Sequence, residues 1–278
     1  MSRRNELERH RQNMGEIRNI MNSMKTLAYM ETRKLARFQE SQLAVVNSIE
    51  AVAADFLSAY RHPIPETGKP APVYLLIGSE RGFCGDFNQS IANHLASTNR
   101  ADADHPPELL VVGRKLHSLY QHAPQNPGFV VGASVAEEIP RVLAAITQWL
   151  AARQHGTGLS LHGIYHSADG VTERRLLPAF SQQREDLPAP RHPPILNLPP
   201  LLFFGKLVEH YLFALLHAML YSSLLAENHR RASHLERAVK HLDSETERLR
   251  QTCSSLRQEE IIEEIEVIML SASSLDHT

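Results

Sequence analysis

The carboxy-terminal stretch from Lys206 to Thr278 contains neither glycine nor proline, the two residues that most often end helices. Leucines recur in it every seven residues, and a second set of residues falls between them at the alternating heptad position. These seam positions are Leu235, Val239, Leu242, Thr246, Leu249, Cys253 and Leu256. The pattern predicts one long helix with a coiled-coil seam, and such a seam needs a partner helix.

The partner is predicted at the other end of the chain. Residues 5–60 carry a second apolar stripe with three- and four-residue spacing, broken at Glu31 and Gln42. Its members are Met14, Ile17, Met21, Met24, Ala28, Leu35, Phe38, Val45, Ile49, Val52 and Phe56. Two striped helices at opposite ends of one chain pair most simply with each other, in antiparallel orientation. The glutamate-rich segment 259–266 would then lie near Arg3, Arg4, Arg9 and Arg11.

The middle of the chain has a different composition. All 16 prolines and all but one of the 13 glycines lie between Pro63 and Gly205. Strand patterns at 73–78, 109–112, 129–131, 159–166 and 173–177 alternate with helical patterns that start near 88, at 115 and after 134. Ser134 and Glu137 suggest a capping box for the last of these helices, although Pro140 favours a kink or a later start. Residues 181–200 are predicted to form a loop.

The predicted fold class is α+α/β. It combines a long antiparallel coiled coil of the N- and C-terminal helices with a small α/β domain of Rossmann-like layering. The expected domains are an N-terminal coiled-coil helix at 1–62, the α/β domain at 63–205 and a C-terminal coiled-coil helix at 206–278.

Composition argues against several classes of function. The formal net charge is −2, which gives no reason to expect binding to nucleic acid or to an anionic membrane. Neither a signal peptide nor a transit peptide is expected, because the first residues lack an apolar run. The longest uncharged run of mainly apolar residues, Tyr211–Ala226, is shorter than the ~20 residues that span a bilayer, so no membrane insertion is expected.

The chemistry-bearing residues do not form a recognisable active site. The Ser79–Asn88 segment follows a predicted strand and opens a helix, but it lacks the lysine of a P-loop and the GxGxxG spacing. Cys84 is interpreted as a packed small residue, and Cys84 and Cys253 are too far apart to suggest a metal site. The 16 histidines show no HExxH pattern. The sequence therefore predicts no catalytic, cofactor or metal site.

The strongest motif runs from Arg257 to Ile268 and reads RQEEIIEEIEVI. It is compatible with an ordinary charged amphipathic helix. It also resembles the carboxy-terminal signature of the gamma subunit of F-type ATP synthases, approximately ARQxxITxEIxEI. Six residues coincide with that signature: Arg257, Gln258, Ile261, Glu264, Ile265 and Ile268.

Three further segments resemble the same family, in the same order. Ser79–Asn88 is similar to SDRGLCGGLN, and Tyr211–Arg231 is similar to RYLxxQLYRALLESxASEHAAR. Met24–Gln39 is similar to TKAMxMVAASKxRxxQ, with Lys25, Lys34 and Gln39 at matching positions. Together the four segments cover both ends of the chain and the start of the middle region, which makes the resemblance more specific than any one motif.

The chain departs from the family at several positions. Asp86 stands where the family has a second glycine, and His234–His241 replaces the AMxxATDNA run. Within the carboxy-terminal signature, Ile262 replaces threonine and Val267 replaces glutamate. These changes point to a divergent member, from an alternative F-type ATPase operon, and affect the expected rotor contacts more than the fold.

The resemblance implies a non-catalytic rotor subunit. The paired helices would turn inside a ring of three α and three β subunits, and the α/β domain would contact the epsilon subunit and the c-subunit ring. The implied location is peripheral, on the cytoplasmic face of the bacterial inner membrane. The implied interface residues are the six of the signature together with Lys25 and Leu27, and Arg257 and Gln258 would hydrogen-bond an acidic loop of β.

Two other readings of the residues stay open at this point. One is an α/β enzyme whose helical arms serve oligomerisation, which an activity of the isolated protein would favour. The other is a coiled-coil adapter that dimerises through the heptads, which the mass of the isolated protein would test.

Overall fold

The structure, a computed structural model, describes residues 3–60, 72–98, 107–121, 126–153, 159–180 and 193–275, with side chains to Met269. The described residues form five α-helices and five strands, which alternate except that the last two strands follow each other directly, as the sequence patterns predict. The helices are α1 (Arg3–Ala59), α2 (Phe87–Thr98), α3 (Arg114–His117), α4 (Ile139–Ala151) and α5 (Pro200–Leu275). The strands are β1 (Pro72–Ile77), β2 (Glu108–Val112), β3 (Gly128–Val130), β4 (Ser160–Ser167) and β5 (Gly170–Leu177).

The last helix starts earlier than predicted. It begins at Pro200 and passes through Gly205, whereas the sequence prediction placed its start at 206. Proline is favoured in the first turn of a helix because its missing N–H would have no intrahelical partner there. The predicted loop at 181–200 therefore ends at the helix start, and its first part, 181–192, lies outside the described residues.

The chain divides into two compact units. The central unit comprises Ala28–Arg231, and the terminal unit comprises Met1–Leu27 together with Ala232–Thr278. Helices α1 and α5 each contribute to both units. The three predicted domains, 1–62, 63–205 and 206–278, stay a prediction.

The central unit contains a mixed five-stranded sheet with the order β3-β2-β1-β4-β5. Strands β1 to β4 pair in parallel, and β5 pairs antiparallel with β4 at one edge. Alternate residues of β1 enter different cores: Leu75 lies in a core that includes α4 and α5, and Leu76 in a core that includes α2. The central strand is covered on both faces, which explains why its sequence is almost wholly apolar.

In the central unit, α1 and α5 pack side by side in opposite directions. Gln39 donates to Ser222, Gln42 bonds His217, and the hydroxyl of Tyr211 donates to Glu50. As the position on α1 increases, the position of its partner on α5 decreases. The predicted antiparallel pairing is confirmed for this unit.

The same orientation is found in the terminal unit. Arg4 pairs with Glu260 at 2.6 Å, and Arg18 pairs with Asp243 at 2.5 Å. The seam predicted on α5 is less exposed than its flanks, with Leu235 and Val239 buried and the later seam residues half-buried. The prediction that the amino-terminal arginines approach the segment 259–266 is confirmed for Arg4.

The predicted apolar stripe of α1 was partly wrong. Ile17, Phe38, Val45 and Val52 each keep nearly half of their surface exposed. The buried positions on this helix are Ala28, Leu35, Val46, Ala53, Phe56 and Leu57. From Leu35 the three- and four-residue spacing of the buried face continues through Gln39 and Gln42, which are polar and half-buried. It then reaches the buried Val46 and Ala53.

The predicted capping box before α4 was also wrong. The backbone N–H of Ser134 donates to Glu138 at 2.7 Å, and the Ser134 hydroxyl makes no cap bond. A short 3-10 turn, Ala136–Glu138, precedes the helix, and Pro140 falls in the first turn of α4. The later helix start that Pro140 favoured in the sequence is therefore the observed one.

Helix α5 is the one described helix whose length and composition would allow it to cross a membrane. Its most apolar 18-residue window has a mean hydropathy of 1.3, and 28% of that window is buried within the protein. Core helices of soluble proteins meet the same criterion, so this finding is weak evidence for a membrane span. The expectation of no membrane insertion stays a prediction.

The Arg4–Glu260 pair gives a first testable prediction. Reversing the charge in Arg4→Glu is expected to lower the free energy of unfolding at low salt by only ~0.2–1 kcal/mol, because both side chains are about one-third exposed. The double variant Arg4→Glu with Glu260→Arg should recover the loss. Urea unfolding at low and high salt measures both effects. An equal loss in the single and double variants would show that the two side chains do not interact in solution.

Candidate functional site

All eight predicted interface residues belong to the terminal unit. On α5, Ile261, Ile265 and Ile268 are 46%, 50% and 64% exposed, and on α1 Leu27 is 64% exposed. Glu264 is exposed and Lys25 is half-buried. Ile261, Ile265 and Ile268 follow helical spacing and lie on one face of α5. A contiguous exposed apolar face of this kind is typical of a surface that a partner covers.

Arg257 and Gln258 are both exposed on α5. Among the described residues, neither side chain has a hydrogen-bond or ion-pair partner, although several glutamates follow them in the sequence. A planar guanidinium and a neighbouring amide are therefore both available to an external carboxylate.

A second candidate site lies in the central unit, at the Ser79–Asn88 turn after β1. The turn is held internally by the Asn88 side chain, which accepts from the Ser79 N–H at 2.9 Å and donates to the Ser79 hydroxyl at 2.8 Å. Phe83 and Gly85 have positive φ angles of 63° and 65°. Cys84 is 4% exposed and contacts the Ser79 hydroxyl, and burial raises the pKa of its thiol. The interpretation of Cys84 as a packed residue is confirmed.

The carboxylate of Glu80, within this turn, lies where α/β proteins commonly hold an anion. It accepts from the backbone N–H groups of Arg114, at 3.1 Å, and Gly132, at 2.9 Å. It also pairs with the Arg114 guanidinium at 2.9 Å. A phosphate bound at the carboxyl ends of parallel strands uses such N–H groups, and here a side chain of the chain itself already takes them.

Helix α5 reaches the turn through a buried polar cluster, here called the turn clamp, made of Glu227, Asn228 and Arg231. Arg231 donates from Nε to the carbonyl of Gly82 at 3.1 Å and from Nη2 to the carbonyl of Arg81 at 3.3 Å. It also donates to the side chains of Asn228, at 2.9 Å, and Glu227. All three clamp residues are at most 5% exposed.

The ionisation of Glu227 is strongly affected by its surroundings. Burial raises the pKa of Glu227 to about 7, although the Arg231 guanidinium beside it lowers that pKa. As pH falls, the Glu227 carboxyl of the folded protein therefore binds its proton near neutral pH, whereas an exposed glutamate binds its proton near pH ~4.5. The folded state therefore binds more protons at this group than the unfolded chain does between these pH values.

This difference predicts a pH dependence of stability. As pH rises from ~4.5 to ~7, the free energy of unfolding is expected to fall by up to ~3 kcal/mol through Glu227. Burial lowers the pKa of His166 below its ordinary value. In that pH range the unfolded chain binds more protons at this histidine than the folded protein does, so its contribution to the free energy of unfolding rises with pH. Glu227→Gln isolates the carboxyl, and its urea-unfolding free energy should lack this slope. The same slope in wild type and variant would contradict the assignment.

Polar contacts also tie α1 to the rest of the central unit. Glu31 accepts from the backbone N–H of Ala136 at 2.7 Å, just before α4, and Lys34 pairs with Glu137. On β5, Arg174 pairs with Glu50 at 2.5 Å. These contacts hold α1 against both α4 and the sheet edge.

A family model described as ATP synthase matches residues 3–275. The chain belongs to the ATP synthase gamma-subunit family. Among curated proteins, the ATP synthase gamma chain of Acetivibrio thermocellus is 23% identical over 157 residues. That match covers 50% of this chain and 52% of the relative, so it spans about half the length of the gamma chain it matches.

Solved ATP synthase structures share the fold. A chain from the central stalk and c-ring structure of the Tetrahymena thermophila mitochondrial enzyme aligns with a TM-score of 0.55 and 19% identity, covering 79% of this chain and 99% of that one. A chain from the Euglena gracilis mitochondrial ATP synthase aligns with a TM-score of 0.56 and 13% identity, covering 94% and 95%. At these identities the similarity concerns the fold alone.

Membership of the gamma-subunit family makes the departures at the turn informative. Asp86, at the position where the sequence resemblance implies a glycine, pairs with Arg230 of α5 at 2.8 Å. Asp86 is 80% exposed at its side chain and Arg230 is 35% exposed. The substitution thus adds an exposed ion pair beside the buried turn clamp, at a place where glycine could offer no side chain.

Glu227, Asn228 and Arg231 lie in a segment whose sequence resembles the gamma-subunit family, but the sequence predicted no role for them. The sequence does contain one signal for an ion pair here. Glu227 and Arg231 are four residues apart, directly after an apolar run, and residues at this spacing share one face of a helix. A pair of that kind is usually exposed, and only its burial against the turn distinguishes this one.

The histidines do not form a metal centre in the part of the chain that is described. His162 lies 3.1 Å from Glu173, and His94 lies 3.5 Å from the same carboxylate. His166 is fully buried, with Nε2 at 2.9 Å from the Phe87 carbonyl. The contacts of His94 and His166 join α2 to the sheet, and the contact of His162 joins two neighbouring strands.

Proposed function

We propose that this chain is the central-stalk rotor subunit of an F-type ATP synthase or ATPase. It would couple rotation of the c-subunit ring to conformational changes in the catalytic β subunits. The observation that carries the proposal is the family match over residues 3–275, in a chain whose two terminal helices pair antiparallel in both units. A shaft that transmits torque requires long, mutually packed helices, and no catalytic pocket is needed for that role.

In this proposal the N- and C-terminal helices form a long antiparallel coiled coil. Its tip, in the terminal unit, turns inside the ring of three α and three β subunits. The exposed Ile261, Ile265 and Ile268 face an apolar sleeve, and Leu27 and Lys25 contact the ring from α1. Apolar contacts suit a rotating surface because they are not directional and can be exchanged during a turn.

Arg257 and Gln258 form a polar contact with an acidic loop of a β subunit in this proposal. Support comes from their exposure and from the absence of a partner for either side chain among the described residues. Charge-assisted hydrogen bonds contribute ~1.5–3 kcal/mol each, which is enough to favour one orientation and still to open in every turn.

The double variant Arg257→Ala with Gln258→Ala tests this contact. The isolated subunit should unfold at the same temperature as wild type, because both side chains are exposed and neither has a hydrogen-bond or ion-pair partner among the described residues. In a complex reconstituted with α and β subunits, ATP turnover or assembly should weaken at least about tenfold, since the loss of ~1.4 kcal/mol already gives that factor. Arg248→Ala, an exposed arginine on the same helix, serves as the control. Wild-type assembly and turnover in the double variant would show that the two residues are exposed to solvent and make no contact that the complex requires.

The sheet of the central unit lies outside the α and β ring in this proposal and contacts the epsilon subunit and the c-subunit ring. The complex would be attached to the membrane peripherally, on the cytoplasmic face of the bacterial inner membrane. Support comes from the similarity to chains of solved central stalks, whose structures are described together with c-rings.

The subunit itself is proposed to be non-catalytic, so the purified chain should not bind or hydrolyse ATP. The Ser79–Asn88 turn lacks a P-loop lysine, and Glu80 already occupies the backbone N–H groups nearby. Calorimetric titration with Mg-ATP should give no binding heat below ~1 mM nucleotide. Micromolar binding that disappears in Arg81→Ala would contradict this assignment.

A further inference from the structure

The Ser79–Asn88 turn and α5 meet at the turn clamp, and this junction bears load if the chain is a rotor. Apolar packing scales with buried area and has no direction, so it holds two surfaces together without fixing their orientation. Hydrogen bonds weaken steeply when their geometry is distorted, so they oppose sliding and rotation. Directed, buried hydrogen bonds at this junction therefore resist slippage of the sheet around the helix.

We propose that Arg231 is a torque-bearing positioning residue, which fixes the Ser79–Asn88 turn to α5 while Glu227 and Asn228 hold its guanidinium. This inference rests on the proposed rotor function. It assigns to the turn clamp the transfer of torque between the α/β part of the central unit and α5.

The geometry of the guanidinium fits this role. Two of its bonds, to Glu227 and Asn228, lie within α5 and fix its orientation on the helix. The other two go to successive main-chain carbonyls, Arg81 and Gly82, which a change of side chain in the turn would not remove. Asn228 is oriented in turn by its own bond to the Leu224 carbonyl at 2.9 Å.

The Ser79–Asn88 turn, which accepts the hydrogen bonds of Arg231, is itself held rigidly. Ser79, Cys84 and Asn88 are joined by hydrogen bonds inside the turn, and Gly78 packs so closely on Leu116 that a Cβ would lie 2.3 Å from Leu116 Cβ. A displacement of the Arg81 and Gly82 carbonyls therefore displaces the end of β1 with them.

A buried ion pair is poorly explained by stability alone. Apolar residues of similar volume often stabilise a core as well as a buried pair does, because two charges lose their hydration on burial. Orientation is what the directed bonds of Arg231 supply and apolar residues do not. The neighbouring Arg230–Asp86 pair is exposed and screened by solvent, so it serves as the matched control.

The decisive variant is Glu227→Leu with Arg231→Met, which removes the directed bonds and keeps apolar volume in the site. The control is Asp86→Asn with Arg230→Gln. Both variants are examined as the full chain by thermal unfolding and by amide hydrogen exchange. They are then examined in complexes with the other subunits in vesicles, by the ratio of ions pumped to ATP hydrolysed.

The clamp variant should fold and keep most of the thermal stability of wild type, because no charge remains buried in it. Its amide exchange in residues 79–88 should rise about tenfold. Its pumping ratio should fall about threefold or more, while ATP hydrolysis continues. The control should match wild type in all three measurements. If the double variant does not fold, Arg231→Lys takes its place, since it keeps the charge but loses the fork that reaches both carbonyls.

Wild-type exchange and a wild-type pumping ratio in a folded clamp variant would overturn the inference while leaving the rotor function intact. Failure of the wild-type chain to enter any complex with α and β subunits would overturn the rotor function and the torque role together.

Discussion

Replacing Arg231 alone with methionine is expected to lower the free energy of unfolding by about 3–5 kcal/mol at pH 8, one of the largest effects of any single substitution in this chain. The change leaves Glu227 buried at 2% exposure without its cation, and leaves the Arg81 and Gly82 carbonyls without their donor. Urea unfolding followed by circular dichroism measures the loss.

Two companion variants separate the causes of that loss. Adding Glu227→Leu to Arg231→Met should recover most of the stability, because no charge then remains buried. Arg230→Met, at the adjacent and more exposed arginine, should change stability by less than about 1 kcal/mol. An equal loss in the single and the double variant would show that the unpaired carboxylate is not the cause.

Replacing Phe87 with alanine is expected to cost about 3–5 kcal/mol. Phe87 is fully buried at the start of α2, and the centroid of its ring lies 4.0 Å from the centroid of the His166 ring. The substitution opens a cavity and removes the ring that packs against a buried histidine. The unfolding midpoint in urea, with the slope checked for constancy, reports the change.

Phe83 provides a control within the same turn. It is 47% exposed, so Phe83→Ala should change the free energy of unfolding by less than about 0.5 kcal/mol. Phe87→Leu should cost less than about 1.5 kcal/mol, because it keeps most of the apolar volume. A similar loss for Phe83→Ala and Phe87→Ala would mean that the turn is not packed as described.

The seam on α5 could be predicted because its residues repeat every seven positions without interruption. On α1 the stripe prediction failed at Phe38, Val45 and Val52, because Gln39 and Gln42 occupy seam positions there and hydrogen-bond Ser222 and His217. In the sequence, a polar residue at a seam position interrupts the apolar stripe, although in the structure it hydrogen-bonds a residue of the other helix. The apolar neighbours Val45 and Val52 then suggested the wrong face.

The strands could be predicted from short apolar runs, since a strand covered on both faces has little room for polar residues. The roles of Glu80 and Arg231 could not, because each depends on backbone groups that are distant in sequence. Arg231 lies about 150 positions from the carbonyls it binds. Such contacts become visible only when the sheet and α5 are placed together.

The proposed rotor function is most directly tested by mixing the purified chain with the α and β subunits of its own organism and separating the products by size. We expect one ATP-hydrolysing complex that contains three α subunits, three β subunits and one copy of this chain, and that loses this chain when α5 is truncated before Arg257. Elution of the chain apart from α and β, under conditions in which those subunits assemble with another gamma subunit, would contradict it.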